Sequence, residues 1–225
     1  MIPLRDSARS RKFPIVNVFF IIINVLVFLK EITLTNHQLN YISYVYGVIP
    51  ARVQTQLAAG APLVAVAVPF ITAMFLHGSW LHILGNMLYL WIFGDNVEDR
   101  MGHLPYLIFY LVVGVAGSIA HIMANPGSQI PIIGASGAIA GVLGAYFISY
   151  PRARILTLLP LPFFVTLIEV PAFFFLPFWF ILQLLNGLST NIAANPVAWW
   201  AHIGGFVAGM ILVNFFPKSS YRAYR

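Results

Sequence analysis

Six long apolar stretches, separated by short polar ones, dominate the chain: about 14–29, 79–93, 104–124, 133–150, 171–188 and 199–216. Each approaches the ~20 residues that carry a helix across a bilayer. Inside lipid a helix satisfies its own backbone, so the pattern predicts six helices. Two further stretches are apolar but different in kind. Residues 62–76 run directly into the second segment, while 155–170 contain Pro160 and Pro162 and carry Glu169.

Charge decides how these two are placed. With six spans and a cytoplasmic N-terminus, ten basic residues fall inside: Arg5, Arg9, Arg11, Lys12, Arg100, Arg152, Arg154, Lys218, Arg222 and Arg225. Only Lys30 and Arg52 fall outside. A seventh span at 62–76 would reverse everything downstream and violate the positive-inside bias. Residues 31–78 are therefore expected outside, with 62–76 on or dipping into the membrane surface. The 155–170 stretch reads as an interfacial connector on the cytoplasmic side. The polar run at 94–103 (GDNVEDRMGH) reads as a solvated, internally paired loop. The basic start lacks a small-residue cleavage site after its apolar run and reads as a retained first span. The expected architecture is an all-α membrane protein, a six-transmembrane-helix bundle with both termini cytoplasmic. Residues 1–13 and 217–225 are its tails and 14–216 its membrane domain.

Composition agrees. Of 225 residues, 60% are hydrophobic and 8% charged, against roughly 25% charged in an ordinary soluble domain. That excludes a soluble globule, and the apolar content excludes disorder. The net charge of +6 does not indicate nucleic acid, because the basic residues lie at chain ends and in short loops. There is no cysteine, hence no disulfide, thiolate metal site or cysteine nucleophile.

Small residues mark two segments. Gly134-Ala135-Ser136-Gly137 opens the fourth, and Ala140, Gly141, Gly144 and Ala145 continue the pattern. Spacings of four allow close helix approach. In the sixth, His202, Gly205 and Gly209 recur at i, i+3 and i+7 and share one face. A glycine stripe thus aims an imidazole at a neighbouring helix. Ionisable groups within spans are costly and are functional candidates. Taken singly, the serine could be incidental to packing and the histidine a satisfied structural one. Together they lie within about two turns of the same end of helices running the same way. A Ser–His hydrogen bond there would make Ser136 a nucleophile with His202 as its base.

The second segment adds His82 and Asn86, at i and i+4 on one face, with Ser79 placed to cap the helix. Both side chains suit an oxyanion, and the Ser136 amide, at a helix start, supplies a further donor. No acid stands near His202: five of the six lie at the cytoplasmic side or in the N-terminal tail, and Glu31 follows the first segment. A dyad therefore fits better than a triad. No H-E-x-x-H motif supports zinc chemistry, and no pair of intramembrane Asp supports an aspartyl mechanism. His37, His103 and His121 read as structural or interfacial, while His77 borders the candidate site.

Three motifs in order, His82-Ile83-Leu84-Gly85-Asn86, Gly134-Ala135-Ser136-Gly137 and Ala201-His202-Ile203-Gly204-Gly205, resemble the rhomboid family of intramembrane serine proteases. The likeness runs from about residue 14 to 216. It implies a six-span bundle with Ser136 as nucleophile and His202 as general base and acid. Asn86, His82 and the Ser136 amide would bind the oxyanion, and Gly205 and Gly209 would match the packing glycines of the sixth span. Gly134, Gly137 and Gly141 would complete the packing around the site. It implies substrates that are single-pass transmembrane proteins and no cofactor. With no organelle transit peptide evident, a bacterial inner membrane is the default location. Some members carry a Tyr one turn after the Ser to stack on the His; here that position is Ala140. The Trp-Arg pair found in the first outer loop of some members is reduced to Ala51-Arg52. A catalytically silent membrane protein that binds or chaperones transmembrane clients is the alternative. A small transporter is less suited, since no charged or broken mid-membrane helix accompanies the His/Asn/Ser set.

Overall fold

The computed structural model describes residues 1–160, 164–189 and 197–216. The 217–225 tail and Pro162 lie outside the described residues.

The N-terminal strand β1 (Ile2–Asp6) precedes α1 (Ile15–Glu31). Helix α1 is an apolar run whose capping residue, Pro14, offers no side-chain acceptor. Three short helices follow: α2 (Asn36–Tyr46), α3 (Pro50–Ala58) and α4 (Leu63–Thr72). Thr35 and Gln38 form a reciprocal capping box at α2. Pro50 opens α3, where its missing N–H costs nothing. A 3-10 turn, Ala73–Phe75, leads to α5 (Trp80–Met101). The chain bends by 88° between the α4 unit and α5, and the Ser79 hydroxyl accepts from His82 N–H at the start of the new helix.

Gly102, at φ +86°, turns the chain from α5 into α6 (His103–Ala124), a conformation that favours glycine. Next come α7 (Ser136–Ser149), strands β2 (Arg154–Pro160) and β3 (Val165–Pro171), α8 (Ala172–Ser189) and α9 (Trp199–Leu212). By length and apolarity α6 and α8 can each cross a bilayer, and the bent α4–α5 pair forms a third candidate. Helices α7 and α9, 14 residues each, rise only about 21 Å. Both pack against α6 at the centre of the bundle, and a continuous apolar core joins α1, α5, α6, α7 and α9 around Phe20, Phe93, Tyr110, Leu143 and Phe206.

Two features amend the sequence expectations. The chain is mostly helical but not all-α: β1, β2 and β3 form an antiparallel sheet in that order, at the end of the bundle away from Ser136. Residues 2–6 are thus a strand rather than a free tail, and the 155–170 connector is largely a hairpin. Its β-branched and leucine-rich strands end in prolines, which disfavour helix, and Ile155 and Thr157 are buried at period two. The run from Gly94 to Met101 is not a loop either; it forms the last two turns of α5, with Asn96 and Glu98 buried. The Glu98 carboxylate accepts from the amides of Val16 (3.0 Å) and Asn17 (2.7 Å). Glu98 thereby supplies the cap that Pro14 cannot provide.

Candidate active site

Ser136 is the first residue of α7 and His202 the fourth of α9. The two helices touch backbone to backbone. A Cβ on Gly209 would stand 1.9 Å from the carbonyl oxygen of Gly141, and one on Gly144 would stand 2.1 Å from that of Phe206. Gly141 is also closed off by Val113 of α6, whose Cγ2 would meet an added Cβ at 2.3 Å. Gly137 differs, for a Cβ there meets nothing nearer than 3.6 Å. This notch leaves His202 Nε2 2.8 Å from Ser136 Oγ.

The turn into α7 is pinned from two sides. Val48 and Ile132 exchange backbone hydrogen bonds of 3.1 and 2.7 Å, and Gly134 N–H donates to Ala73 O at 2.8 Å. Gly134 has φ +114°, and a Cβ there would lie 2.5 Å from His82 Nε2 and 3.6 Å from Asn86 Nδ2. Only glycine fits both the dihedral and the space. His82 and Asn86 therefore project at the turn immediately preceding Ser136. As the first helical residue, Ser136 has an amide with no intrahelical acceptor.

His77, buried in the loop between the 3-10 turn and α5, belongs to this group. Asn86 Nδ2 lies 2.9 Å from its Nε2. This contact holds the Asn86 amide against the His77 ring. The His77 backbone N–H donates to the Glu31 carboxylate at 3.1 Å, which ties the loop to the end of α1.

One polar residue of the site escaped the sequence analysis. Gln183 of α8 is buried, and its Oε1 lies 2.8 Å from His202 Nδ1. The signal was present: a single amide stands within the apolar run FFFLPFWFILQLL, and the reasoning that singled out His202 applies to it equally. Trp199 meets the His202 ring edge-on at 5.9 Å and Trp179 lies tilted at 6.1 Å. These indoles occupy the surroundings of the imidazole, while Ala140 is fully buried where α7 meets Gly205.

Ser136, His202, Asn86, His82 and Gln183 all line one half-open cavity of about 640 Å³. That volume is in the range of small-ligand sites. His37 and His103 take no part in it. Among the described residues no group of three or more His, Cys, Asp or Glu has the arrangement of a metal site.

The sequence profile of the Rhomboid domain matches residues 65–219 of the chain. Rhomboid-like protein 11, chloroplastic, of Arabidopsis thaliana is 30% identical over 161 residues, covering 67% of this chain and 54% of that protein. Rhomboid protein 1, mitochondrial, of Saccharomyces cerevisiae is 28% identical over 161 residues, 68% of this chain and 42% of that one. Rhomboid protease GluP of Bacillus subtilis is 43% identical over 75 residues, 33% of this chain and 14% of that protein. The chain thus spans about half or less of the length of these relatives.

Proposed function

The chain belongs to the rhomboid family of integral membrane proteins, and from that premise we propose that it is an intramembrane serine endopeptidase working through Ser136 and His202. The observation that carries the reading is the 2.8 Å approach of His202 Nε2 to Ser136 Oγ inside a cavity that also holds Asn86 and His82. The Ser136 oxygen attacks the carbonyl carbon of the scissile peptide bond while its proton passes to Nε2. The oxyanion that forms is met by the Ser136 amide, Asn86 and His82. Collapse breaks the C–N bond, and the departing amine takes the proton from His202. Water then attacks the ester with His202 again as base, releasing the acid and restoring Ser136.

The substrates in this reading are single-pass transmembrane proteins, cut near the outer face where the segment leaves the helical state. The bundle crosses six times with both termini inside, an arrangement supported by the distribution of Lys and Arg. The relatives' names include chloroplast and mitochondrion, which lends no support to a bacterial inner membrane; the reading stops at an integral membrane protein.

The test is cleavage of a transmembrane reporter together with fluorophosphonate labelling, in wild type and Ser136→Ala. The reading expects both signals in wild type and neither in the variant. Cleavage that persists in Ser136→Ala overturns it. Wild-type protein that neither labels nor cleaves, in detergent and in lipid, favours a silent client-binding protein.

A further inference from the structure

Gln183 lines the cavity and is not used by the acyl-transfer steps. Gln183 is 7% exposed and spans two contacts. Its Nε2 donates to the Trp179 carbonyl at 3.2 Å, and its Oε1 lies 2.8 Å from His202 Nδ1. The first contact fixes the second. A backbone carbonyl only accepts, so the amide nitrogen must face Trp179 and the amide oxygen must face the imidazole. An oxygen there accepts from Nδ1–H. A neutral imidazole has one donor and one acceptor, so Nε2 is left with its lone pair towards Ser136 Oγ.

We propose that Gln183 is the positioning residue of this dyad: it holds His202 in the Nδ1–H tautomer and in the ring orientation that lets Nε2 take the Ser136 proton. This rests on the reading of Ser136 and His202 given above. It resolves a gap in the chain's chemistry, because among the described residues no acid hydrogen-bonds to His202 and position 140 is alanine. The amide does the orienting work that a buried carboxylate does in a triad without contributing charge. The imidazolium formed during catalysis therefore gains a dipole partner rather than an anion. The residue is delivered by α8, which packs on α9 through Phe180 against Phe206 at 4.9 Å and Trp179 against Phe206 at 6.0 Å. The orientation of His202 thus depends on a third helix outside the α7–α9 notch.

The test compares wild type, Gln183→Leu and Gln183→Glu for kcat and KM on a transmembrane reporter, with ¹⁵N NMR of the imidazole in the resting protein. Gln183→Leu keeps the volume and removes the acceptor. It is expected to lower kcat on the order of 10- to 100-fold, the scale seen when the partner that orients a metal-bound histidine is removed, with KM little changed and the Nδ1–H signature lost. Gln183→Glu restores the acceptor and recovers most of kcat. Its charge favours the imidazolium, so the acidic limb of the kcat–pH profile moves to higher pH. The other titratable groups acting on His202 are His82 of α5 and His121 of α6, present in every variant. Wild-type kcat and an unchanged tautomer in Gln183→Leu overturn the proposal. If that variant does not fold, an unmoved acidic limb in Gln183→Glu overturns it. Loss of the dyad reading is seen separately, as wild type that neither cleaves nor labels. Even then the resting tautomer decides for Gln183: Nδ1–H supports it and Nε2–H refutes it.

Discussion

Gly205 of α9 lies so close to Gly137 of α7 that a methyl group on it would stand 2.1 Å from the Gly137 carbonyl oxygen. That approach, one turn from His202 and one residue from Ser136, sets the separation at which hydroxyl and imidazole meet. The missing side chain is therefore part of the site's geometry and not only of the bundle's packing.

Gly205→Ala must push α7 and α9 apart or distort both, since the obstructing atom is backbone. Overpacking of this kind costs about 1–3 kcal/mol. The expected result is a lower unfolding midpoint in detergent together with a larger proportional loss of reporter cleavage, because an ångström of misplacement costs about 10²-fold in rate. Gly187→Ala on α8 is the control. Its Cβ would meet Ile203 and Trp199 at 3.4 Å, ordinary contact, so it should gain or hold stability as alanine replaces glycine within a helix. Equal losses in the two variants would contradict the argument.

Asn86 is expected to act through one of its two amide hydrogens while the other is held by His77 at 2.9 Å. Asn86→Ala removes an oxyanion donor and should lower kcat on the order of 10²-fold with little change in KM. His77→Ala leaves the donor in place but unfixed, so a smaller loss is expected, and the double variant should lose no more than Asn86→Ala alone. A double-mutant cycle on kcat measures this. Additive losses would mean that His77 acts on its own.

The sequence carried the site's juxtaposition further than its surroundings. Ser136 and His202 were legible because both rules that place them are local: a glycine stripe at helical spacing picks a face, and distance from a helix end sets a depth. The Ser79 cap was legible for the same reason. Glu98 was not. Its neighbourhood is polar and reads as a loop, and what makes it helical and buried is a pair of amides at the start of α1, over eighty positions earlier. The sheet was hidden likewise. Residues 2–6 have no pattern of their own strong enough to predict a strand, and only the partner β2, which pairs Ile2 with Leu158 and Asp6 with Ile155, gives them one. Gln183 could have been read from its isolation in an apolar run, but nothing local says which side chain it meets.

The far end of the bundle, where β1 meets α5 and α7, should make stability depend on pH. Asp6 accepts from the Tyr146 hydroxyl and from Asn96 Nδ2. Burial, reinforced by the nearby Asp95 charge, pushes its carboxyl up to about 6 even though the Tyr146 hydrogen bond pulls the other way. An acid that binds its proton more tightly when folded stabilises the fold fully below its unfolded value near 4. That contribution is lost as pH rises through the folded value, since the native state then releases a proton it had favoured. The unfolding midpoint should therefore fall between about pH 4 and pH 6 and level off above. Asp6→Asn, which keeps an acceptor for Tyr146 and cannot ionise, should flatten that segment of the curve. Thermal unfolding in detergent across this range checks it, and an unchanged slope in the variant would assign the dependence to another group.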